Sequence, residues 1–560
     1  MNKLIECVPN FSEGRDMSII KQITDAIESV DGVNLLDVDP GAATNRTVVT
    51  FVGHPDAVIK GAFEGIKKAA ELIDMSKHKG EHPRFGATDV CPLVPISGIE
   101  MEEVVEYAKK LGERVGNELD IPVYLYESAA SKPERKNLAT VRAGEYEGIE
   151  EKIKKPEWKP DYGQAQLNAK TGNVAIGARN FLVAYNINLN TTSVRRANSI
   201  AFDVREQGRV KREGNPITGK VVNDENGNPV RIPGKLKGVK GIGWYIEEYG
   251  VAQVSMNITD ITVTKVHEVF EACRDSANNR GMRVSGSEVI GLVPKSVLVD
   301  AGKFYLARQN RSTGIAESEL IKIAVKSMGL DDLTPFDPQQ KVIEYQLEKV
   351  ANSKLVSMNL KSFAEETASE SPAPGGGSIS AYMGALGVSL GTMVANLSSH
   401  KRGWDDRWES FSQWAERGQI LQNDLIKLVD EDTNAFNKIM DAFKLPKGND
   451  EDIANRKLAI ENATKYAIEI PLQVMRKSYE SMEVMQAMGE SGLPASISDA
   501  GVGALCARSA VLGAFLNVKI NLGQLSDENY RTSVMKEATE LAEKAKSKEA
   551  EILELVDSKL

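Results

Sequence analysis

Cysteine is scarce. Cys7, Cys91, Cys273 and Cys506 are scattered over 560 residues, and no two form a CxxC pair. Neither a disulfide scaffold nor a zinc ribbon is expected from that spacing. Histidine is nearly as sparse, at five. An excess of positive charge is missing too: the net charge is −10, so the basic footprint of general nucleic-acid binding is absent. A local basic pocket for an acidic ligand remains compatible with that balance. The opening residues, MNKLIECVPNFSEGRD, hold no continuous apolar stretch and no cleavage signature. The expectation is a cytoplasmic chain without a signal peptide. Uncharged apolar runs are also lacking, with one exception at residues 379 to 397, ISAYMGALGVSLGTMVANL, which includes a Gly387-xxx-Gly391 pair. Its length would permit a membrane span. Ser380, Ser389, Thr392 and Asn396 dilute it, so the expectation is a buried helix of a soluble bundle and no membrane partner.

What is present is the composition of an ordinary globular chain, 41% hydrophobic and 26% charged. At roughly 100–200 residues per domain, several domains are expected. The first 180 residues alternate strand and helix signals in the order β-α-β-β-α-β. PDAVIKGAFEGIKKAAELI, for example, puts Val58, Ala62, Ile66, Ala69 and Ile73 on one helical face. A second unit repeats the order from residue 181, where Phe181, Val183, Tyr185, Ile187 and Leu189 alternate as in a strand. Residues 211–237 look like an excursion from it, a surface hairpin turning at Asn226-Gly227. Residues 329–356 read as a connector, and 357–560 carry helix signals almost alone. The fold class expected is multidomain: two tandem α+β units (1–180 and 181–328) and an all-α helical bundle.

Two histidines fall in one Gly- and Pro-marked loop, MSKHKGEHPRFGATDVCPLVP. His78 or His82, beside Glu81, Arg84 and Asp89, is placed either to exchange protons with a ligand or simply to sit in solvent, and the residues alone do not choose. No HExxH pattern accompanies the pair, so no metal is expected. Asp37 and Asp39 end one strand while Asn45 and Arg46 begin the next. Such a place holds a carboxylate well, and the same residues also serve a tight turn. Residues 160–180 join the two α+β units, with Gly163, Gly172 and Gly177 allowing backbone to approach a ligand or merely giving a flexible linker.

In the helical part, Gly375, Gly376 and Gly377 precede a helix start with Ser378 placed as an N-cap. Such a turn offers N–H groups to a carboxylate or phosphate. No Walker pattern follows. Further on, the stripe Leu421, Leu425, Leu428 continues to Asp432 and then to Phe436, Ile439 and Phe443. A carboxyl group there is either a buried acid of raised pKa or one half of an ion pair in the bundle. Asp430 faces elsewhere. Ser498 and Asp499 are read as the cap of an apolar helix.

Taken together, CVPNFSEGRD, DVDPGAATNRTVVTFVGHP, EHPRFGATDVCPLVP, GNVAIGARNFLVAYNINL, VKGIGWYIEEYGVAQVSMN, APGGGSISAYMGALG, LVDEDTNAF and GAFLNVKINL resemble the formiminotransferase-cyclodeaminase family over nearly the whole chain. The resemblance implies two activities in histidine degradation and one-carbon metabolism. The formimino group of N-formimino-L-glutamate passes to N5 of tetrahydrofolate. The 5-formimino product then closes to 5,10-methenyltetrahydrofolate with loss of ammonia. It implies His82 as the transferase acid–base group, with Asp39 to orient it, and Asp432 as the deaminase acid. It also implies a folate-contacting loop made of Gly163, Gln164, Ala165, Gln166, Leu167, Asn168, Ala169, Lys170, Thr171 and Gly172. Gly375 to Ser378 would touch substrate in the helical part. Polyglutamylated tetrahydrofolate as substrate, no metal, and a ring-like homo-oligomer are the further implications. A transferase with an inactive helical part, or a folate-binding scaffold without chemistry, would retain much of this pattern.

Overall fold

The computed structural model describes residues 3–42, 44–80, 84–215, 218–350 and 355–560, the side chains of 348–350 excepted. Its contacts fall into two compact units. One is Met1–Val297 with Met328–Val350, and the other is Leu298–Ser327 with Ala351–Leu560.

The first unit begins β1 (Leu4–Cys7), β2 (Asn10–Phe11), α1 (Met17–Glu28), β3 (Val33–Gly41), β4 (Arg46–Gly53), α2 (Pro55–Leu72), β5 (Thr88–Ser97), α3 (Met101–Leu119) and β6 (Val123–Glu127). Two short helices, α4 (Leu138–Val141) and α5 (Ile149–Ile153), lead to β7 (Val174–Ala178). These strands make a seven-stranded mixed sheet. Strands β1 to β5 pair antiparallel, while β7 lies parallel between β5 and β6. Strand β7 falls inside the stretch expected to be a connecting loop. Its residues Val174 to Ala178 are all buried, so the run has no polar–apolar alternation to announce a strand. Helices α1, α2 and α3 cover one face of the sheet. Their amphipathic stripes, such as Val58, Ala62, Ile66 and Ala69 of α2, close over Ile5, Val49, Phe51 and Leu93. On the opposite face a smaller core of Phe85, Val90, Tyr124, Tyr126, Val141 and Ile149 forms under α4 and α5.

The chain continues through β8 (Val183–Leu189), α6 (Val194–Val204), β9 (Arg209–Val210), β10 (Arg231–Ile232), β11 (Val239–Ile246), β12 (Val251–Ile258), α7 (Val266–Asn278) and β13 (Val284–Ile290). Strands β11-β12-β8-β13 form a four-stranded antiparallel sheet. Strands β9 and β10 pair as the base of a hairpin whose turn has Gly227 at φ +81°. Next come α8 (Lys295–Ala307), α9 (Glu317–Met328), α10 (Pro338–Lys341) and α11 (Ile343–Val350), the last where IEYQLEKV resumes helical spacing within the connector.

The second unit adds α12 (Leu360–Thr367), α13 (Gly376–Ser399), α14 (Trp408–Lys444), α15 (Asp450–Ser491), α16 (Ile497–Leu522) and α17 (Glu528–Asp557) to the segment from α8 and α9. Helix α13 packs against α14, α15 and α16. Glycines allow the close approach: a Cβ at Gly387 would sit 2.9 Å from the Gly503 carbonyl oxygen, and one at Gly391 3.1 Å from Val484 Cγ1. Two stretches, Gly376–Ser399 and Pro494–Leu522, are long and apolar enough to cross a membrane. The second was not expected, because Asp499, Arg508 and Lys519 break its uncharged run. The Ser498–Asp499 pair does not cap α16; the cap position is Ser496.

Candidate active sites

Two strand irregularities shape the floor of the first site. On β3 the register against β4 slips between Leu35 and Asp37. Before the slip Val33 and Leu35 face the helix-covered core; after it Val38 does. The extra residue therefore turns Asp37 and Asp39 to the opposite face, which unbroken alternation would have denied them. The second slip lies between β2 and β5, where Phe11 pairs with Thr88 but Asn10 with Val90. It leaves Asp89 as the bulged residue, 1% exposed. Arg142 Nη1 donates to Asp89 Oδ2 at 2.9 Å, and Arg46 Nη1 stands 3.6 Å from the same oxygen. Burial lowers the Arg46 guanidinium to about 10, and Arg142 adds to the effect while Asp89 opposes it. Burial also pushes the Asp37 carboxyl up, with Lys341 opposing.

Asn45 gathers the loops around this floor. It is buried in a left-handed conformation, φ 49°. Its Oδ1 accepts from Gly14 N at 3.0 Å, its Nδ2 donates to the Lys79 carbonyl at 2.9 Å, and its own carbonyl lies 2.9 Å from His78 Nε2. A carbonyl only accepts, so His78 is the Nε2–H tautomer here. Burial holds its pKa down. His78 is thus a ring tied to backbone through Nε2. His82, with Glu81 and Pro83, lies outside the described residues. On its far flank, Arg84 donates to the His78 carbonyl and pairs with Glu147.

The expected folate loop starts and ends on glycines that the fold requires. Gly163 and Gly172 have φ +79° and +64°, and a Cβ at Gly172 would lie 2.5 Å from the Phe85 carbonyl oxygen. Thr171 and Gly172 are buried; the Thr171 carbonyl accepts from Ala87 N at 2.7 Å and the Lys170 carbonyl from Met75 N at 2.8 Å. Gln164, Ala165, Gln166, Ala169 and Lys170 are exposed, while Leu167 packs on the Phe85–Tyr124 cluster and Asn168 braces the turn. The structure thus brings the end of this loop against residues 85–87. Arg142 and Tyr249 were not singled out from sequence. Tyr249 reaches Glu288 at 3.4 Å and also feels the charge of Asp39. Each is one polar residue in a turn-rich stretch, with no periodicity to mark it.

The second site lies at the start of α13. Gly375 is the N-cap and Ser378 sits in the first turn, so Ser378 is not the cap expected. Its N–H, one of the donors a helix start leaves unpaired, goes to Asp432 Oδ2 at 2.9 Å. Ser378 Oγ lies 3.1 Å from the same oxygen and 2.9 Å from the Val429 carbonyl. The carboxylate of α14 thus crosses to close the N-terminus of α13. A Cβ on Gly377 would overlap that carboxylate. Burial pushes the Asp432 carboxyl up, and the two Ser378 bonds pull partly against it. Among the described residues Asp432 makes no ion pair. Asp430 is used separately, accepting from Leu355 N at 2.9 Å, and Glu431 accepts from the Tyr466 hydroxyl. Beyond Asp432 the expected stripe holds only at Ile439, which packs against the core. Phe436 and Phe443 are exposed, and Ala435 and Ala442 carry the buried line. Steps of three, seven and ten from Asp432, to Ala435, Ile439 and Ala442, keep the helical phase. Asn517, unforeseen from sequence, flanks this turn: a Cβ at Gly376 would lie 3.3 Å from its Nδ2.

A mixed α/β region and a helical region, each holding acid–base side chains, define a protein with two separate centres. Three family models match it: "Formiminotransferase domain, N-terminal subdomain" over residues 4–179, "Formiminotransferase domain" over 184–348, and "Formiminotransferase-cyclodeaminase" over 359–540. A formimidoyltransferase-cyclodeaminase of Dictyostelium discoideum is 42% identical, with 100% of each chain covered. A glutamate formimidoyltransferase of Thermoplasma acidophilum is 42% identical over 57% of this chain and 98% of its own length. A methenyltetrahydrofolate cyclohydrolase of Methylorubrum extorquens is 34% identical over 36% of this chain and 97% of its own. The chain belongs to the formimidoyltransferase-cyclodeaminase family.

Proposed function

We propose that the chain transfers the formimino group of N-formimino-L-glutamate to N5 of tetrahydrofolate, then cyclises the product to 5,10-methenyltetrahydrofolate with release of ammonia. The observation that carries this reading is identity of 42% across the whole chain to a bifunctional relative. On this reading the transferase takes 1–180 and 181–328 and the deaminase 357–560, while by contacts residues 298–327 group with the helical unit and 328–350 with the α/β one.

In the transfer, N5 attacks the amidine carbon and the bond from that carbon to the glutamate nitrogen breaks. The proton lost by N5 ends on the departing glutamate. His82 is the group assigned to carry it, and Asp39, on the sheet face away from α1, α2 and α3, orients that ring. The loop from Gly163 to Gly172 holds folate. The alternative histidine, His78, is a poor carrier because its Nε2–H is spent on the Asn45 carbonyl.

In the second step N10 closes on the formimino carbon and the amidinium nitrogen departs as ammonia. Asp432 in its acid form protonates that nitrogen and recovers the proton N10 gives up, so the methenyl cation forms with charge in balance. A buried carboxyl suits this, because burial strengthens its hold on the proton. Backbone N–H groups of Gly375 to Gly377 and the amide of Asn517 line the same turn. Exposed Leu386, Met393, Leu397, Leu516 and Ile520 on α13 and α16 support a homo-oligomer, and polyglutamylated folate as the substrate follows from the family reading.

The test is a coupled assay. Purified protein is mixed with formiminoglutamate and tetrahydrofolate, and methenyltetrahydrofolate is followed in the near ultraviolet. Wild type forms it; His82→Ala and Asp432→Asn each fail alone; the two mixed recover it. Consumption of formiminoglutamate without methenyl product would reduce the reading to a transferase. No consumption by folded wild type would leave a folate-binding protein.

A further inference from the structure

Ser378 sets one hydroxyl proton between two acceptors. Its Oγ stands 2.9 Å from the Val429 carbonyl and 3.1 Å from Asp432 Oδ2. A hydroxyl carries a single hydrogen and turns it to the better acceptor. The choice follows the charge of Asp432. Against the neutral acid, the backbone carbonyl is nearer and is the stronger acceptor. Against the carboxylate, Oδ2 wins, because a bond to an ionised oxygen is about twice as strong as one between neutral groups. The change turns only the Cβ–Oγ bond. Neither position strands a buried group. Val429 lies inside α14, where its carbonyl also takes the helical N–H four residues on. Oδ2 keeps the Ser378 N–H at 2.9 Å throughout. Ser378 is fully buried, so bulk water does not compete for the hydroxyl.

The arrangement divides the carboxylate. Oδ2 is held by the start of α13. Oδ1 accepts no hydrogen bond among the described residues and keeps contact with solvent over Gly377. It is the oxygen free to hold a transferable proton. The charged and titratable groups around it are engaged elsewhere. Helix α13 carries no charged residue, and its Tyr382 packs on Phe363. On α14, Asp430 accepts from Leu355 N and Glu431 from Tyr466 of α15, whose ring lies against Lys438. On α16, Lys519 lies over Phe515. What acts on the Asp432 carboxyl among the described residues is burial, opposed by Ser378.

We propose that Ser378 is a positioning residue of the deaminase centre: its hydroxyl bonds Val429 while Asp432 holds its proton, and turns to Oδ2 as Oδ1 delivers that proton to the departing nitrogen. The inference rests on the deaminase reading above and adds the group that steadies the conjugate base. The proton leaves Oδ1, its electron pair stays on the carboxylate, and the serine keeps its own hydrogen. The hydroxyl turns back when Oδ1 recovers a proton from N10.

Cyclodeaminase rates on supplied 5-formiminotetrahydrofolate are measured across pH. The proteins are full-length wild type, Ser378→Ala, Ser378→Cys, and Asp432→Asn with and without Ser378→Ala. Alanine removes the hydroxyl, and cysteine fills its space with a far weaker donor, so the test does not depend on a cavity being tolerated. In both, the backbone N–H still holds Oδ2. The expected result is an alkaline limb of kcat moved up by about one pH unit in both variants, the size expected for one hydrogen bond to an ionised oxygen. On the acid side of that limb kcat should fall about three- to tenfold with KM little changed. Adding Ser378→Ala to Asp432→Asn should lower the residual rate no further, because the hydroxyl acts through the carboxylate. A limb that stays in place in Ser378→Cys would make Ser378 a packing residue only and overturn the proposal. So would an equal loss of rate on adding Ser378→Ala to Asp432→Asn. Failure of folded wild type to convert 5-formiminotetrahydrofolate would instead overturn the deaminase reading beneath it.

Discussion

At the residue scale, Asp432 links function to pH. Its carboxyl titrates above the usual aspartate range because it is buried. Between the ordinary value and the raised one, the folded chain holds a proton that the unfolded chain has released, so stability falls as pH rises through that window. Asp432→Asn removes this burden and keeps an acceptor for Ser378. It should raise the urea midpoint of the helical unit at pH 7 while cutting cyclodeaminase turnover at least a hundredfold. The wild-type cyclodeaminase rate should decline on the alkaline side as the acid form disappears, and the residual rate of the variant should lose that limb. Gly377→Ala places a methyl group against the same carboxylate. Cyclodeaminase activity should drop while transfer, assayed by glutamate release, persists.

At the scale of elements, much of the secondary structure was legible. Helix α2 shows its stripe, and β8 alternates cleanly from Val183 to Leu189. The failures share a cause: the pattern rules assume an unbroken period. Strand β3 was recognised, but strict alternation would have put Val33, Leu35, Asp37 and Asp39 on one face. The slip before Asp37 is invisible without the partner strand. Strand β7 hides because both its faces are covered. In α14 the position of Asp432 was readable and Ile439 packs on the core, yet Ala435 and Ala442, one residue before the expected Phe436 and Phe443, carry the rest of the buried line. Deleting Leu36 should test the bulge: Leu35–Phe51 and Asp37–Thr50 would follow one another without a slip, Asp37 and Asp39 would keep their face, and soluble expression should be retained. Gly172→Ala strains a left-handed turn and crowds the Phe85 carbonyl. It should raise the KM for tetrahydrofolate with little change in that for formiminoglutamate.

At the scale of the whole molecule, a mixed α/β region followed by a helical one was readable from the shift in pattern. The allegiance of α8 and α9 was not, because such contacts leave no local trace. Within the second unit the segment from Ser312 to Gly314 is tied to α13 and α14. Thr313 N donates to Ser412 Oγ at 3.0 Å, and Asn396 Nδ2 to the Gly314 carbonyl at 2.9 Å. Gly314 abuts the backbone at Ala415, where a Cβ would clash. Gly314→Val should lower the thermal transition of the helical unit by several degrees, read by differential scanning calorimetry.

The close fit of Gly377 to Asp432 also bears on descent. Every single-base change of a glycine codon that alters the residue adds at least a methyl group, so position 377 has no harmless neighbour in the genetic code. While the carboxylate opposite is under selection, the glycine is held with it; once deamination is no longer needed, both are released together. Descendants that have abandoned the second reaction should therefore lose Gly377 and Asp432 as a pair, and a lineage that keeps the aspartate while filling position 377 should be rare.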